Sequence, residues 1–294
     1  HASRSATRRP TASRCCWGTS MPELPEVETV RRGLVKVLVG RELVGVDIRD
    51  GRLTAPADPT AVAHELLGAV VTGVGRRGKY LAIRLDDGRT LVCHLRMTGW
   101  FHHVAELSER PHLRTVFELD DGSWLLYSDQ RRFGTMRLIE PGGLEDYWRG
   151  RVGPEPLDGD WTAPQLRAAL RGRTAPVKAL LLDQRVVAGV GNIYADEALW
   201  EARVHPLTAG GRLGAMRAAR VHDAVIAVLE RGIDAQGASI DTYRSVDGTP
   251  GSMQERFHVF DRAGEPCPRC GSVIVKTRVA QRGTYLCPRC TPRP

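Results

Sequence analysis

Residues 21–34 read MPELPEVETVRRGL, and this stretch predicts an amphipathic helix that opens the folded part of the chain. Its apolar side chains recur at the spacing of one helix face, at Leu24, Val27, Val30, Leu34 and Leu38. Proline and glutamates at its start are typical of a helix N-terminus, because proline fits the first turn and acids face the positive end of the dipole. We expect the helix to end at Gly40.

Residues 1–20, HASRSATRRPTASRCCWGTS, differ from this helix in composition. They are rich in Arg, Ser, Thr and Ala and lack an apolar core, which excludes a secretory signal but leaves an organelle transit peptide open. We expect them to be a disordered leader, either upstream sequence translated from a misplaced start or a cloning scar, with Met21 as the functional start.

Length and charge limit the class of protein. A chain of 294 residues can bury two cores, and its formal net charge of +8 favours a polyanionic partner. The basic excess is concentrated over residues 262–294, which hold seven Lys or Arg and a single acid, Glu265. No apolar run approaches the ~18–20 residues that span a bilayer, so we expect no membrane insertion.

Strand patterns precede helix patterns along the chain. Short β-rich runs occupy residues 43–48, 70–75, 79–85, 90–97, 114–119, 123–127 and 134–139. Asp-Gly turns at 87–88 and 121–122 join two pairs of these runs. This spacing predicts a β-sandwich or barrel, with the N-terminal helix packed on it.

Helical patterns follow at residues 163–171, 176–182, 192–202 and 213–231. The polar, Gly- and Ser-rich segment 234–256 is typical of a long mobile loop. We therefore predict an α+β fold with an N-terminal helix plus β-sandwich domain over 21–152. A helical domain over 153–256 and a cysteine-bearing unit over 257–294 complete it.

Four of the seven cysteines form a spaced array, CPRC followed after sixteen residues by a second CPRC. They are Cys267, Cys270, Cys287 and Cys290. This spacing predicts one structural Zn²⁺, closed by four thiolates, in a reducing compartment. A pair of redox Cys-x-x-Cys motifs is the alternative. Basic residues between the two pairs suggest that the connecting hairpin contacts phosphates.

The reactivity of Pro22 depends on whether its nitrogen is free. Removal of Met21 would expose a secondary amine with a pKa of ~7.7–8.0. Much of this amine is uncharged at physiological pH, so it could attack a sugar C1′ and form an iminium ion. The adjacent Glu23 could then donate and accept protons. From spacing alone, helix capping is the favoured explanation of Pro22 and Glu23, and Glu26 and Glu28 fit it equally well.

Several further motifs follow in one order. They are RRGKYL (76–81), HLRMTG (94–99), DQRRFG (129–134), GPEPL (153–157), GVGNIYADEALW (189–200), DGTPG (247–251) and AQRGTYLC (280–287). Together with residues 21–34 they closely resemble the formamidopyrimidine-DNA glycosylase family, enzymes that excise 8-oxoguanine and ring-opened purines from DNA. The resemblance runs from residue 21 to residue 290.

The resemblance implies roles for individual residues. Pro22 matches the family's nucleophile, Glu23 its acid–base group, and Lys79 a lysine that reaches the lesion and the neighbouring phosphates. Without the resemblance, Lys79 would be an ordinary surface lysine at a hairpin. The implied fold adds a helix–two-turn–helix element to the helical domain and a zinc hairpin to the C-terminus. Loop 237–246 is implied to close over the extruded base.

The remaining implied residues contact DNA. Met97, Arg131 and Phe133 match a trio inserted where the damaged nucleotide leaves the helix, although Met or Phe alone is more often a core residue. His94, Asn192 and Arg282 match phosphate-side residues, and for Asn192 a simple N-cap is compatible. One departure is Arg96, which stands where the family often has glycine.

The implied function is a bifunctional DNA glycosylase/AP lyase acting on 8-oxoguanine and formamidopyrimidine lesions through β- and δ-elimination. Its partner is damaged double-stranded DNA, and we expect a bacterial, cytoplasmic, nucleoid-associated monomer. Two alternatives stay open. If Pro22 stays blocked, the chain is a non-catalytic damaged-DNA-binding protein; otherwise it could prefer oxidised pyrimidines.

Overall fold

A computed structural model describes residues 21–240 and 243–293, so the predicted leader over 1–20 lies outside the described residues. The first helix, α1 (Leu24–Leu38), follows the predicted bounds, and Gly40 adopts a φ of +83° just beyond it. One face of α1 is buried against the β-sheets, as its 3.6-residue periodicity predicts.

Two four-stranded antiparallel sheets form the N-terminal part, in the orders β1-β6-β7-β5 and β2-β3-β4-β8. The strands are β1 Leu43–Ile48, β2 Val71–Arg77, β3 Tyr80–Leu85, β4 Thr90–His94, β5 Gly99–Val104, β6 Leu113–Leu119, β7 Trp124–Asp129 and β8 Thr135–Ile139. Leu81, Phe101 and Leu125 share one apolar core between the sheets. The predicted β-sandwich is confirmed.

Helices dominate the second part of the chain. Two short helices, α2 Pro59–Leu66 and α3 Leu144–Trp148, precede it in the chain. The helices of the second part are α4 Ala163–Leu170, α5 Val177–Leu182, α6 Asn192–Glu201 and α7 Ala215–Asp234. The last four surround a second apolar core, to which Leu24 at the start of α1 also belongs. The first turn of α1 therefore joins the two halves of the molecule. Within the described residues, no helix is long and apolar enough to cross a membrane.

The structure adds elements that the sequence patterns did not predict: α2, α3 and β5. The helix α2 does carry a local signal. Asp58, which directly precedes Pro59, caps the helix, because its side chain accepts hydrogen bonds from the N–H groups of Thr60 and Ala61. Strand β5 alternates weakly, because Phe101 and His102 lie on opposite faces and are both buried. Such short elements lack enough periods for a pattern to distinguish them from loops.

The C-terminal unit is a hairpin of β9 (Val275–Val279) and β10 (Arg282–Leu286). Its two turn residues, Ala280 and Gln281, both have positive φ, 47° and 60°. That is the backbone of a two-residue turn whose twist matches the flanking strands. The turn places Arg282 at the first position of β10, at the exposed end of the hairpin.

Helix α7 continues to Asp234, beyond its predicted end at residue 231, so the loop predicted over 234–256 starts within one residue of its expected position. Its described parts fold back on themselves: Met253 N–H donates to the carbonyl of Gly237 at 3.0 Å, and Ser245 N–H donates to that of Thr249 at 3.0 Å. Residues 241–242, inside the implied capping loop, lie outside the described residues. Mobility of this loop stays a prediction.

Candidate active site and DNA interface

The buried carboxyl of Glu23 is the centre of the candidate site. Its oxygens accept hydrogen bonds from the backbone N–H groups of Ile193 at 2.9 Å and Tyr194 at 3.3 Å. These groups form the positive N-terminal end of α6, which favours an acidic partner. Burial raises the pKa of the Glu23 carboxyl, whereas the charge of Lys79 and the backbone N–H groups oppose that shift. A carboxyl of this kind can hold a proton and release it to a reacting group.

Two glycines of the GVGN segment allow α1 to approach α6 this closely. A Cβ on Gly191 would lie 2.3 Å from Cδ of Glu23, and a Cβ on Gly189 would lie 2.6 Å from Cβ of Leu24. Gly189 also has a φ of +84°, and its carbonyl accepts a hydrogen bond from Leu24 N–H at 3.0 Å. Nothing in the spacing of these glycines identified Glu23 as the group that they accommodate.

We predict that Gly191→Ala displaces the Glu23 carboxyl, lowers the glycosylase activity that the resemblance implies at least tenfold, and destabilises the fold by ~1–3 kcal/mol. Single-turnover rates and thermal melting measure the two effects. Gly214→Ala is the matched control, because a Cβ there meets no heavy atom within 4 Å. The control should keep full activity. Equal activity in both variants would show that the Glu23 position tolerates movement.

Pro22 is buried directly beside Glu23. In the chain as described, its ring nitrogen forms the peptide bond to Met21. Resonance in that bond withdraws the nitrogen lone pair, so the nitrogen is not basic. The structure therefore brings the predicted nucleophile and the predicted acid–base group together, with the nucleophile in its acylated form.

Lys79 lies at the tip of the β2–β3 hairpin, yet its side chain is only 5% exposed. Gly78 shapes the tip with a φ of +55°, and its N–H donates to the Glu155 carboxylate at 2.8 Å. Burial lowers the pKa of Lys79, and the charges of Glu23 and Glu26 oppose the shift. Lys79 is therefore a buried cation that interacts with the Glu23 and Glu26 carboxylates, rather than a surface lysine.

Glu26 connects three parts of the site, a role that the sequence patterns did not reveal. Its carboxylate accepts hydrogen bonds from Glu23 N–H at 2.9 Å, Tyr194 Oη at 2.9 Å and Ala238 N–H at 2.7 Å. It therefore joins α1, α6 and the start of the capping loop. Burial and the neighbouring charge of Glu23 raise the pKa of Glu26 to about 7.

The three predicted wedge residues stand on two loops that the structure brings together. Met97 is half-buried, whereas Arg131 and Phe133 are exposed, with Phe133 at 53%. The Arg131 guanidinium carbon lies 5.0 Å from the centre of the Phe133 ring. The buried Asp129 carboxylate accepts hydrogen bonds from Thr98 Oγ1 and Arg131 N–H, which ties the two loops. Sequence reasoning missed both of these supporting residues.

The β9–β10 hairpin is docked on α5 and α6 through the carbonyl of Gly283. This carbonyl accepts from Asn192 Nδ2 at 3.1 Å and from Lys178 Nζ at 3.0 Å. Lys178 also forms a fully buried ion pair with Asp196 at 2.7 Å. Asn192 and the exposed Arg282 therefore belong to adjoining surfaces. Lys178 was missed, because a lone lysine in a short apolar helix normally faces solvent.

His94 is buried at the end of β4, with its ring centroid 4.5 Å from that of Tyr80. Burial, and then the charges of Arg96 and Lys79, lower the pKa of His94 to about 3. Its Nδ1 accepts a hydrogen bond from Arg96 N–H at 2.9 Å, so the neutral ring holds the adjacent loop. Its contact with a phosphate stays a prediction.

The four array cysteines converge on one metal site. Their Sγ atoms all lie within 4.8 Å of one another, including pairs at 3.4, 3.5 and 3.8 Å. A tetrahedral Zn²⁺ with bonds of about 2.3 Å separates its sulfur ligands by about 3.8 Å, so the set fits a four-thiolate ion. Trp200 Nε1 also donates to Cys267 Sγ at 3.4 Å. The site closes the base of the hairpin that carries Arg282.

The fold and the candidate site are those of a nucleic-acid-binding protein whose predicted acid–base residues lie where its two halves meet. Three family models match the chain: the formamidopyrimidine-DNA glycosylase N-terminal domain over 21–136, its H2TH domain over 152–244, and a zinc finger found in FPG and IleRS over 264–293. The chain belongs to the formamidopyrimidine-DNA glycosylase family, as the motifs indicated.

Individual relatives agree over nearly the whole length. The formamidopyrimidine-DNA glycosylase of Symbiobacterium thermophilum is 49% identical over 277 residues, covering 93% of this chain and 90% of the relative. That of Chloroflexus aggregans is 47% identical, covering 92% and 98%. Two Lactococcus lactis structures, each 38% identical, cover 92% of this chain and all of the other. They are a point mutant in complex with Fapy-dG-containing DNA (TM-score 0.88) and an enzyme in complex with abasic-site DNA (TM-score 0.87).

Proposed function

We propose that this chain is a bifunctional DNA glycosylase and AP lyase that removes 8-oxoguanine and formamidopyrimidine lesions in base excision repair. The observation that carries the proposal is the buried Glu23 carboxyl at the N-terminus of α6, next to Pro22 and coupled to Lys79. Family membership and solved relatives bound to Fapy-dG and abasic DNA support the substrate class.

The reaction begins when the free amine of Pro22 attacks C1′ of the damaged nucleoside. The bond between C1′ and the base breaks, and its electron pair leaves with the base. The amine then loses its proton, the C1′–O4′ bond breaks with O4′ taking up a proton, and the nitrogen lone pair completes an iminium ion between Pro22 and C1′. Loss of a C2′ proton expels the 3′ phosphate by β-elimination, and a second, δ-elimination expels the 5′ phosphate. Hydrolysis then returns the free amine and leaves a gap with phosphate ends.

The other residues support these steps. Glu23 donates and accepts the protons at the reacting centre, and Lys79 contacts the lesion and its flanking phosphates. Met97, Arg131 and Phe133 fill the gap left by the extruded nucleotide, which offsets an unstacking cost of a few kcal/mol. His94, Asn192 and Arg282 bind phosphates on the damaged strand.

One Zn²⁺ bound by the four cysteines would supply structure only, since four thiolates leave no open position for a substrate. Its role is to hold the hairpin that presents Arg282 to DNA. We propose that the protein acts as a monomer. We also propose that it acts in the bacterial cytoplasm on nucleoid DNA, because its damaged-DNA partner is found there.

Borohydride trapping tests the proposal. Protein whose N-terminus is shown to be Pro22 by intact mass is mixed with an 8-oxoguanine duplex and reduced, which converts the iminium ion into a stable amine. We expect a covalent adduct on the Pro22 peptide. Strand cleavage with an adduct on Lys79 or Lys178 would refute the assigned nucleophile. Competition with a thymine glycol duplex tests the substrate class. Preferential excision of thymine glycol would favour the alternative, a glycosylase that prefers oxidised pyrimidines.

A further inference from the structure

Arg96 has a backbone conformation that is unusual for a residue with a side chain. It lies between His94 and Met97 with a φ of +54°, in a turn closed by a hydrogen bond from Gly99 N–H to the carbonyl of Leu95 at 3.0 Å. Left-handed backbone of this kind favours glycine, because a Cβ crowds the neighbouring carbonyl. The turn therefore explains the backbone shape but does not explain arginine.

No residue in the described part of the chain binds the Arg96 guanidinium. Its side chain is exposed, and across residues 21–240 and 243–293 no carboxylate forms an ion pair with it; only its backbone N–H is engaged, with His94. Arg132 provides the contrast. It has a similar φ of +57°, but its guanidinium binds the buried Asp50 carboxylate at 2.6 and 2.8 Å. Residues that are held in a strained backbone conformation without a compensating contact cluster at functional sites.

The position of Arg96 identifies the group that it would meet. It directly precedes the wedge residue Met97, and the Thr98–Asp129 hydrogen bond joins its loop to the loop of Arg131. Its charge is close enough to His94 to lower that residue's pKa, together with Lys79. An exposed guanidinium without neighbours to fix its plane suits a backbone phosphate better than a base edge, since base readout needs a fixed bidentate geometry.

We propose that Arg96 is an additional DNA-binding residue that contacts a phosphate beside the wedge and so helps to hold the duplex. The inference rests on the proposed function and deepens it. It assigns to the strained turn a positive charge that acts when DNA is bound. Arg96 positions the duplex and does not touch the reacting atoms.

Two substitutions separate this role from a structural one. Arg96→Gly removes both the charge and the strain, whereas Arg96→Gln removes the charge and keeps the strain. Both should weaken binding to a duplex with a tetrahydrofuran abasic analogue by about tenfold, because a charge-assisted contact is lost. Both should also reduce the slope of log K against log [salt] by about 0.9, the value for one phosphate. Only Arg96→Gly should raise the melting temperature.

Arg203→Gly is the matched control. Arg203 is also an exposed arginine with a φ of +54°, but it caps the C-terminal end of α6, away from the end that carries Asn192. This variant should keep the wild-type affinity and salt slope. Tight wild-type binding with an unchanged slope in Arg96→Gln would overturn the assignment of Arg96 alone. Failure of the wild-type protein to prefer the damaged duplex would overturn the proposed function, and the inference with it.

Discussion

Protein that retains residues 1–21 will show no glycosylase or lyase turnover on an 8-oxoguanine duplex, whereas the same chain beginning at Pro22 will cleave it. The peptide bond from Met21 makes the Pro22 nitrogen an amide, whose lone pair is delocalised and cannot attack C1′. The free secondary amine has a pKa near ~7.7–8.0 and is substantially neutral at physiological pH. Two samples, each verified by intact mass, are compared in single-turnover cleavage and borohydride trapping.

Binding distinguishes a chemical block from a failure to fold or to dock. Pro22 is buried and Met21 is half-buried in the site, while the predicted wedge and phosphate residues belong to other elements of the chain. Both samples should therefore bind a tetrahydrofuran-containing duplex with similar affinity. Turnover by a homogeneous sample that retains residues 1–21 would refute the chemical argument. Loss of binding as well as turnover would indicate a steric block by the leader.

Features set by local spacing could be predicted from the sequence. Helix α1 buries one face, so Val27, Val30 and Leu34 recur with a period that the chain itself displays. The paired CPRC motifs likewise fix two thiolates at each end of one hairpin. In both cases the information lies within one segment, and the structure confirms the helix and the cysteine cluster.

The internal contacts of the site depend on residues far apart in the chain, and no local pattern displays them. Glu23 and Glu26 fit the pattern of helix-capping acids, yet Glu23 binds the start of α6 and Glu26 binds Tyr194 and Ala238. Capping explains an acid at this position without reference to α6. The family resemblance supplied the catalytic interpretation, and the structure supplies its physical basis.

Lys178 shows a second limit. Periodicity assigns a lysine to solvent because an unpaired buried ammonium is costly. Here Asp196, Gly283 and Thr284 surround the ammonium, and two of these three belong to a strand more than 100 residues away. Only the folded chain shows that the charge is compensated. The same reasoning applies to Lys79, whose burial follows from docking of its hairpin tip against the second half of the molecule.

Glu23→Gln will lower the single-turnover rate of base excision by about 10²–10⁴-fold, the usual contribution of a positioned acid–base group. Glutamine retains an oxygen that can accept the Ile193 N–H bond, so the docking of α1 on α6 should persist. It has no proton to transfer. Melting temperature and affinity for the tetrahydrofuran duplex should therefore stay close to wild type while the chemical step fails.

The pH dependence gives this prediction a second readout. The amine of Pro22 must be deprotonated, so the rate rises with pH through the amine pKa, whereas proton donation by Glu23 requires the protonated carboxyl. Burial raises the pKa of that carboxyl, and the protonated fraction falls as pH increases through it. The wild-type profile should therefore have a rising and a falling limb. Glu23→Gln should lose the falling limb and retain the rising one.

A competing assignment gives Glu26 the role of acid, since its pKa is raised to about 7. Its three hydrogen bonds, to Glu23 N–H, Tyr194 Oη and Ala238 N–H, instead occupy its oxygens in holding the site together. Survival of a falling limb near pH 7 in Glu23→Gln would transfer the role to Glu26. Glu28→Gln is the control. Neighbouring arginines lower the pKa of Glu28 to about 2, so this carboxylate is charged over the whole pH range of the profile, and its replacement should leave both limbs in place.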